Sequence, residues 1–115
     1  MIGVHLNADL GEGLNIEKDI MPFLSSCSIA CGGHFGNDNT MREAAEIAVQ
    51  NKIKIGAHPS YPDKIGFGRK AINISNIELS KSLIQQVNSL RKILDDLKYQ
   101  LDHIKTHGAL YNLSA

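Results

Sequence analysis

Four short runs rich in β-branched and apolar residues each end in a cluster of polar, chemically capable side chains. They are Val4-His5-Leu6-Asn7-Ala8-Asp9, Ile29-Ala30-Cys31-Gly32-Gly33-His34, Ile53-Lys54-Ile55-Gly56-Ala57-His58 and His103-Ile104-Lys105-Thr106-His107. Runs of this length read as strands, and the intervals between them are long enough for the crossover helices that parallel pairing requires. In parallel α/β folds the reactive groups gather beyond the carboxyl ends of the strands. The sequence therefore predicts an α/β protein of parallel strands and crossover helices, with its chemistry on one rim.

Size and charge narrow what surrounds that rim. The 115 residues fit a single domain, 1–115, and a hydrophobic content of 43% is enough to bury a core. Twelve basic residues balance twelve acidic ones, so no electrostatic footprint points to nucleic acid or an anionic membrane, and a small-molecule substrate is the expectation. No basic segment leads into a long apolar stretch, and no run approaches a membrane span, so a cytoplasmic location is expected. Cys27 and Cys31 are the two cysteines. In that setting they read as reduced structural thiols.

The pattern along the chain divides into four strand–helix units. A first strand is expected over 2–8, then a turn in which Gly11 and Gly13 bracket Glu12, then a short helix over 19–24. A second strand falls at 27–30. Thr40-Met41-Arg42-Glu43 has capping-box spacing, and Met41, Ala44, Ala45, Ala48 and Val49 supply a buried stripe for a helix to residue 50. A third strand at 53–57 leads into a loop over 58–74 that holds Pro59, Pro62, Gly66 and Gly68, of the length and composition that functional loops share. Ser75-Asn76-Ile77-Glu78 opens the longest helix, expected to run to residue 99. Its Leu83, Val87, Leu90, Leu94, Leu97 and Leu101 recur at three and four; too few heptads are present for a coiled coil, so this stripe is expected to pack on the sheet. A fourth strand is expected at 104–106, with a further helix beginning at Gly108.

A complete barrel of eight such units takes about 250 residues. Four units in this length amount to half of one, and an open four-stranded sheet has two unpaired edges that proteins usually cover. A partner or a homo-oligomer that covers 4–8 or 104–106 is the expectation.

The strand-end residues support hydrolysis of an amide-like bond. Asp9 can ligate a cation or act as general base on water, or merely cap a turn before Gly11. Glu12 between two glycines can approach a substrate closely, or be solvated. His34, His58 and His107 stand at equivalent strand ends, and each imidazole can serve as ligand, base or acid. A divalent metal is left open, with Asp9, His34 and His58 as candidate ligands, because no His-Glu-x-x-His arrangement encodes one locally. Lys105, two residues before His107, is expected on the same face of a strand, where it binds a substrate carboxylate or pairs with Asp9 or Glu12. Arg69 can clamp a carboxylate or phosphate, or bond loop carbonyls. No phosphate-binding Gly-x-x-x-x-Gly-Lys-Ser/Thr loop is present, so any ATP would be bound by a partner.

Taken together, the blocks His5-Leu6-Asn7-Ala8-Asp9-Leu10-Gly11-Glu12-Gly13, Ile29-Ala30-Cys31-Gly32-Gly33-His34, Gly56-Ala57-His58-Pro59-Ser60-Tyr61-Pro62-Asp63 with Gly66-Phe67-Gly68-Arg69, and Lys105-Thr106-His107-Gly108-Ala109-Leu110-Tyr111-Asn112 resemble the LamB/YcsF family. They follow the family's order over essentially the whole chain and match the amino-terminal half of a usual member. The resemblance implies a TIM-like barrel related to carbohydrate deacetylases. It also implies a role as the A subunit of ATP-dependent 5-oxoprolinase, which opens the lactam of 5-oxoproline to glutamate together with B and C subunits. His5 stands where the family usually has aspartate, Asn37 where an acidic residue is common, and Thr106 where proline usually precedes the histidine. In that scheme Asp9 and Glu12 activate water, and His34 and His58 stabilise the oxyanion or hold a cation. Lys105 and His107 bind substrate and protonate the leaving nitrogen, with Asn7, Tyr61 and Arg69 as further substrate contacts. A metal-dependent deacetylase-like hydrolase and a noncatalytic assembly module are the alternatives.

Overall fold

The computed structural model describes residues 5–114. Four strands, β1 (Asn7–Leu10), β2 (Ser26–Ala30), β3 (Lys54–His58) and β4 (Leu101–Ile104), form one parallel sheet in the order β1-β2-β3-β4. Each is followed by a helix: α1 (Glu17–Ile20) with a 3-10 turn (Met21–Phe23), α2 (Asp38–Gln50), α3 (Asn76–Asp96) and α4 (Gly108–Ser114). Each crossover returns the chain to the neighbouring position, which is the arrangement of one half of a TIM-like barrel.

Strand periodicity sorts the side chains onto two faces. On one, Leu10, Cys27, Ile29, Ile55 and Ala57 are buried in a single core with Met41, Ala44, Ala45 and Ala48 of α2 and Leu90, Ile93 and Leu94 of α3. The expected α2 stripe is thus the buried one, apart from a half-buried Val49. The other face is polar. The pairs Asn7 with Ser26, Asp9 with Ser28, Ser28 with Gly56, Ala30 with His58 and Gly56 with His103 lie side by side across it. Both cysteines are free and buried, and burial pushes their thiols up to about 12.

Several boundaries differ from the sequence reading. Of the first expected strand, residues 2–4 lie outside the described residues, His5 and Leu6 precede β1, and β1 runs on through Asp9 and Leu10 because these pair with Ser28 and Ile29. The capping box of α2 lies one turn earlier than Thr40-Met41-Arg42-Glu43. Asn37 Oδ1 accepts from the Thr40 amide and Thr40 Oγ1 accepts from the Asn37 amide, which starts the helix at Asp38. Helix α3 begins as expected, with Ser75 Oγ accepting the Glu78 amide, but stops at Asp96, and Lys98 turns the chain in a left-handed conformation. Tyr99 is therefore outside the helix, its hydroxyl donating to the Ile53 carbonyl, and Leu101 begins β4 instead of ending a helical stripe. The fourth strand falls at Leu101–Ile104 and not at 104–106. The Lys105 and His107 amides still donate to the Ala57 and Pro59 carbonyls, in the two-residue step of a parallel ladder, but Pro59 has no amide hydrogen with which to return a bond to β4.

Candidate active site at the strand ends

Gly11 and Gly13 both adopt left-handed φ values, +71° and +89°, so the chain reverses sharply after β1 and swings Glu12 over the carboxyl ends of β2 and β3. Glu12 Oε2 lies 2.5 Å from His34 Nε2, 3.7 Å from His107 Nδ1 and 3.8 Å from His58 Nε2. His58 Nε2 and His107 Nδ1 are 3.0 Å apart. The rings of His34 and His107 stack at 3.7 Å, and His58 meets both edge-on. All three histidines are buried.

The outward nitrogen of each ring is committed as a donor. His58 Nδ1 faces the Lys105 carbonyl at 2.7 Å and His107 Nε2 faces the Phe67 carbonyl at 2.9 Å. A carbonyl only accepts, so both nitrogens carry the hydrogen. His34 Nδ1 lies 3.1 Å from Ser60 Oγ, whose own hydrogen goes to the Tyr61 carbonyl, so here too the ring donates. In the neutral rings the lone pairs of His34 Nε2, His58 Nε2 and His107 Nδ1 therefore all point inward, toward Glu12. Burial lowers the pKa of His58 against the opposing pull of Asp9 and Glu12, and burial together with the charge of His34 lowers that of His107. Burial would raise Glu12, but its hydrogen bond to His34 and the charges of the three histidines outweigh this and hold it below the usual carboxylate range.

Asp9 and Lys105 form the accessible layer of the site. Lys105 Nζ lies 3.0 Å from Asp9 Oδ1, and Asp9 Oδ2 lies 3.4 Å from His58 Nε2. The Asp9 and Lys105 side chains are 33% and 44% exposed, whereas that of His34 is fully covered. Of the partners expected for Lys105 the structure has Asp9, in a half-exposed pair, and Lys105 and His107 lie one and three residues past the end of β4 instead of within a strand. Of the residues expected to act together, Asp9, Glu12, His34, His58, Lys105 and His107 form one connected cluster. Glu12, His34, His58 and His107 are its compact centre, with one ligand-type atom from each all within 4.8 Å of one another; Asp9 stands at its margin.

The other candidates sit apart from that centre. Arg69 is exposed and lies over the Phe67 ring at 5.1 Å, and Phe67 in turn packs against His34 and His107. Tyr61 is half-buried and touches the network through its carbonyl. Asn7 lies one layer below, donating to Ser26 Oγ at 2.7 Å and meeting Ser28, which lies 3.0 Å from His103 Nε2. That lower layer of Ser26, Ser28 and His103 was not singled out from the sequence. Its signal was the alternation in Ser26-Cys27-Ser28-Ile29, together with Gly56, whose missing Cβ leaves the space that the His103 ring fills.

Gln86 is the other unforeseen participant. It sits on the buried face of α3, accepts the Ser60 amide at 3.0 Å and donates to the Ser60 carbonyl at 2.9 Å. Ser60 in turn holds His34. Gly33 makes room for this, since a Cβ there would lie 2.5 Å from Gln86 Oε1. Gln86→Leu leaves two backbone groups of Ser60 buried without partners, at a cost of about 1–3 kcal/mol each. A urea melt is expected to show a lower midpoint, and an unchanged midpoint would mean that the loop anchors itself by other means.

Comparison with known proteins gives the family and the fold. The profile of the LamB/YcsF family matches residues 4–115. The A subunit of 5-oxoprolinase from Bacillus cytotoxicus is 42% identical over 100% of this chain and 48% of its own length, and that from Bacillus cereus (strain ATCC 10987 / NRS 248) is 41% identical over 100% and 47%. The crystal structure of a lactam utilization protein from Thermus thermophilus superimposes with a TM-score of 0.91 at 36% identity, covering 96% of this chain and 47% of that one. The chain spans about half the length of the curated relatives it matches.

Proposed function

The chain belongs to the LamB/YcsF family, and from that premise we propose that it supplies hydrolytic residues for opening the lactam of 5-oxoproline, or of its phosphorylated form, to glutamate. The observation that carries this reading is the half-exposed Asp9–Lys105 pair laid against the buried nest of Glu12, His34, His58 and His107. Lactam hydrolysis needs a base for water, stabilisation of the tetrahedral oxyanion and a proton for the departing ring nitrogen. Asp9 is the carboxylate that water can reach, and it takes the proton. Lys105 binds the substrate carboxylate, or donates a proton to the ring nitrogen as the C–N bond breaks and regains one from Asp9, 3.0 Å away. The layer of Asn7, Ser26, Ser28 and His103 beneath fixes the floor of the site.

ATP hydrolysis is assigned to the complex and not to this chain, because the sequence carries no phosphate-binding loop. The relatives are named as one subunit of 5-oxoprolinase, which supports assembly with further subunits; we take these to be the B and C subunits of that enzyme. Strands β1 and β4 are each paired on one side within this sheet and are the edges that an assembly, with those subunits or with a second copy, would cover. Among the described residues no helix is long and apolar enough to cross a membrane. The reaction is assigned to the cytoplasm as part of the same reading.

The test is reconstitution with the B and C subunits, following glutamate formation and ATP hydrolysis together. The expected result is 5-oxoproline-dependent ATP hydrolysis that requires this chain and yields glutamate. A complex that assembles but forms no glutamate would reduce the chain to a noncatalytic assembly element.

A further inference from the structure

We propose that Glu12 Oε2, His34 Nε2, His58 Nε2 and His107 Nδ1 form a binding site for one divalent transition-metal ion of the zinc class. The proposal deepens the reading above by naming a cofactor of the same site, and it is tested by metal binding, independently of turnover.

Three observations carry it. First, the four atoms converge without a donor among them when the rings are neutral. His58 Nε2 and His107 Nδ1 face each other lone pair to lone pair at 3.0 Å, and the short approach of His34 Nε2 to Glu12 Oε2 needs one proton more than the neutral ring supplies. An electrophile between them removes both repulsions. Second, each ring is oriented from behind by an acceptor: the Ser60 hydroxyl, the Lys105 carbonyl and the Phe67 carbonyl. This is the outer-shell arrangement that fixes the tautomer and aim of metal-bound histidines. Third, the spacing suits a small ion. Ligands about 2.0–2.1 Å from a tetrahedral zinc lie roughly 3.3 Å from one another. Separations of 2.5, 3.0, 3.7 and 3.8 Å straddle that figure and all four atoms lie within 4.8 Å of one another, so shifts of a few tenths of an ångström up to about one and a half ångströms complete the site. Three imidazoles and one carboxylate select zinc-class ions over magnesium or calcium, which take oxygen sets.

The site differs from the set expected from sequence, Asp9 with His34 and His58. Asp9 Oδ2 approaches His58 Nε2 at 3.4 Å, but Asp9 lies outside the compact group and is held by Lys105. Asp9 is thereby kept free of the metal and beside it. An ion held here by four side chains would polarise a water or carbonyl oxygen lying against Asp9 by taking it as a fifth ligand.

The experiment takes the whole chain, freed of metal by a chelator and shown to be folded, and titrates it separately with Zn2+, Co2+ and Mg2+. Calorimetry is expected to give one Zn2+ per chain with a rise in Tm. Co2+ is expected to produce the strong visible absorption of a tetrahedral nitrogen-rich site, and Mg2+ neither. Glu12→Gln and His58→Gln, each of which keeps a polar side chain of similar reach, are expected to weaken Zn2+ binding by about tenfold or more. Asp102→Asn, at a histidine–carboxylate contact outside the four-residue site, with His103, leaves it unchanged. Absence of Zn2+ binding by the folded chain, binding indifferent to both ligand variants, or stabilisation by Mg2+ alone would overturn the proposal. Zinc binding without lactam turnover in the reconstituted complex keeps the metal site and rejects the 5-oxoprolinase reading, whereas turnover by a complex whose chain binds no Zn2+ does the reverse.

Discussion

Asp9→Asn is expected to lower 5-oxoproline turnover by the reconstituted complex about a hundredfold or more, the loss typical when a general base is removed, while the fold stays intact. The substitution keeps the shape of the side chain and removes the charge that accepts the proton of water. Its structural cost is small, because the ion pair to Lys105 is half-exposed and pairs open to water contribute about 0–1 kcal/mol. Tm and the denaturation midpoint should therefore stay near those of the wild type, which separates a chemical loss from an unfolding one. Lys105→Met divides the role of the ammonium. A raised KM at constant kcat means that it binds the substrate carboxylate, and a lowered kcat means that it assists the leaving nitrogen. An Asp9→Asn complex that turns over at the wild-type rate would take the base assignment away from Asp9.

What the sequence made legible was whatever depends on neighbours along the chain. The strand–helix alternation and the stripe of Met41, Ala44, Ala45 and Ala48 are local periodicities, and they placed α2 and β2 within a few residues of their observed limits. His34 and His58 could be foreseen at one rim because each closely follows an apolar run. The rest depends on contacts that have no local trace. The span of β1 is set by the pairing of Asp9 with Ser28, and β4 ends where it does because Pro59, which follows the facing strand β3, has no amide hydrogen to donate to it. His103-Ile104-Lys105-Thr106 is extended in either case, so its sequence could not tell 101–104 from 104–106. Gln86 occupies a position on α3 that the helical period assigns to the core, and only its partner Ser60, 26 residues away, explains a polar side chain there. The balance between Asp9 and Glu12 was beyond sequence for the same reason. Asp9 lies near the end of β1 and Glu12 just past it, and it is the left-handed turn at Gly11 that sends Glu12 into the imidazoles and leaves Asp9 beside Lys105.

Gly68→Ala is expected to be the most destabilising single-methyl addition in the loop over the site, by about 2–5 kcal/mol. Gly68 has φ +65°, where a Cβ costs about 1–2 kcal/mol. The same Cβ would sit 2.9 Å from His34 Cβ and 3.0 Å from Ser60 Cβ. Neither atom is the far end of a flexible side chain, so the overlap adds roughly the 1–3 kcal/mol of an overpacked core. Movement of the loop to relieve it is opposed at both of its backbone groups. The Gly68 amide donates to the Asp63 carbonyl, and its carbonyl accepts from Ala109 at the start of α4. Gly13→Ala is the control, since it too has a positive φ, +89°, but its added methyl meets the tip of Phe35, a side chain that can swing aside. The difference between the two denaturation free energies isolates the packing of the loop onto His34. Against a total stability of about 5–15 kcal/mol, Gly68→Ala should shift the urea midpoint plainly and Gly13→Ala much less. Equal shifts would show that the loop does not bear on His34 closely enough to hold its ring against Glu12.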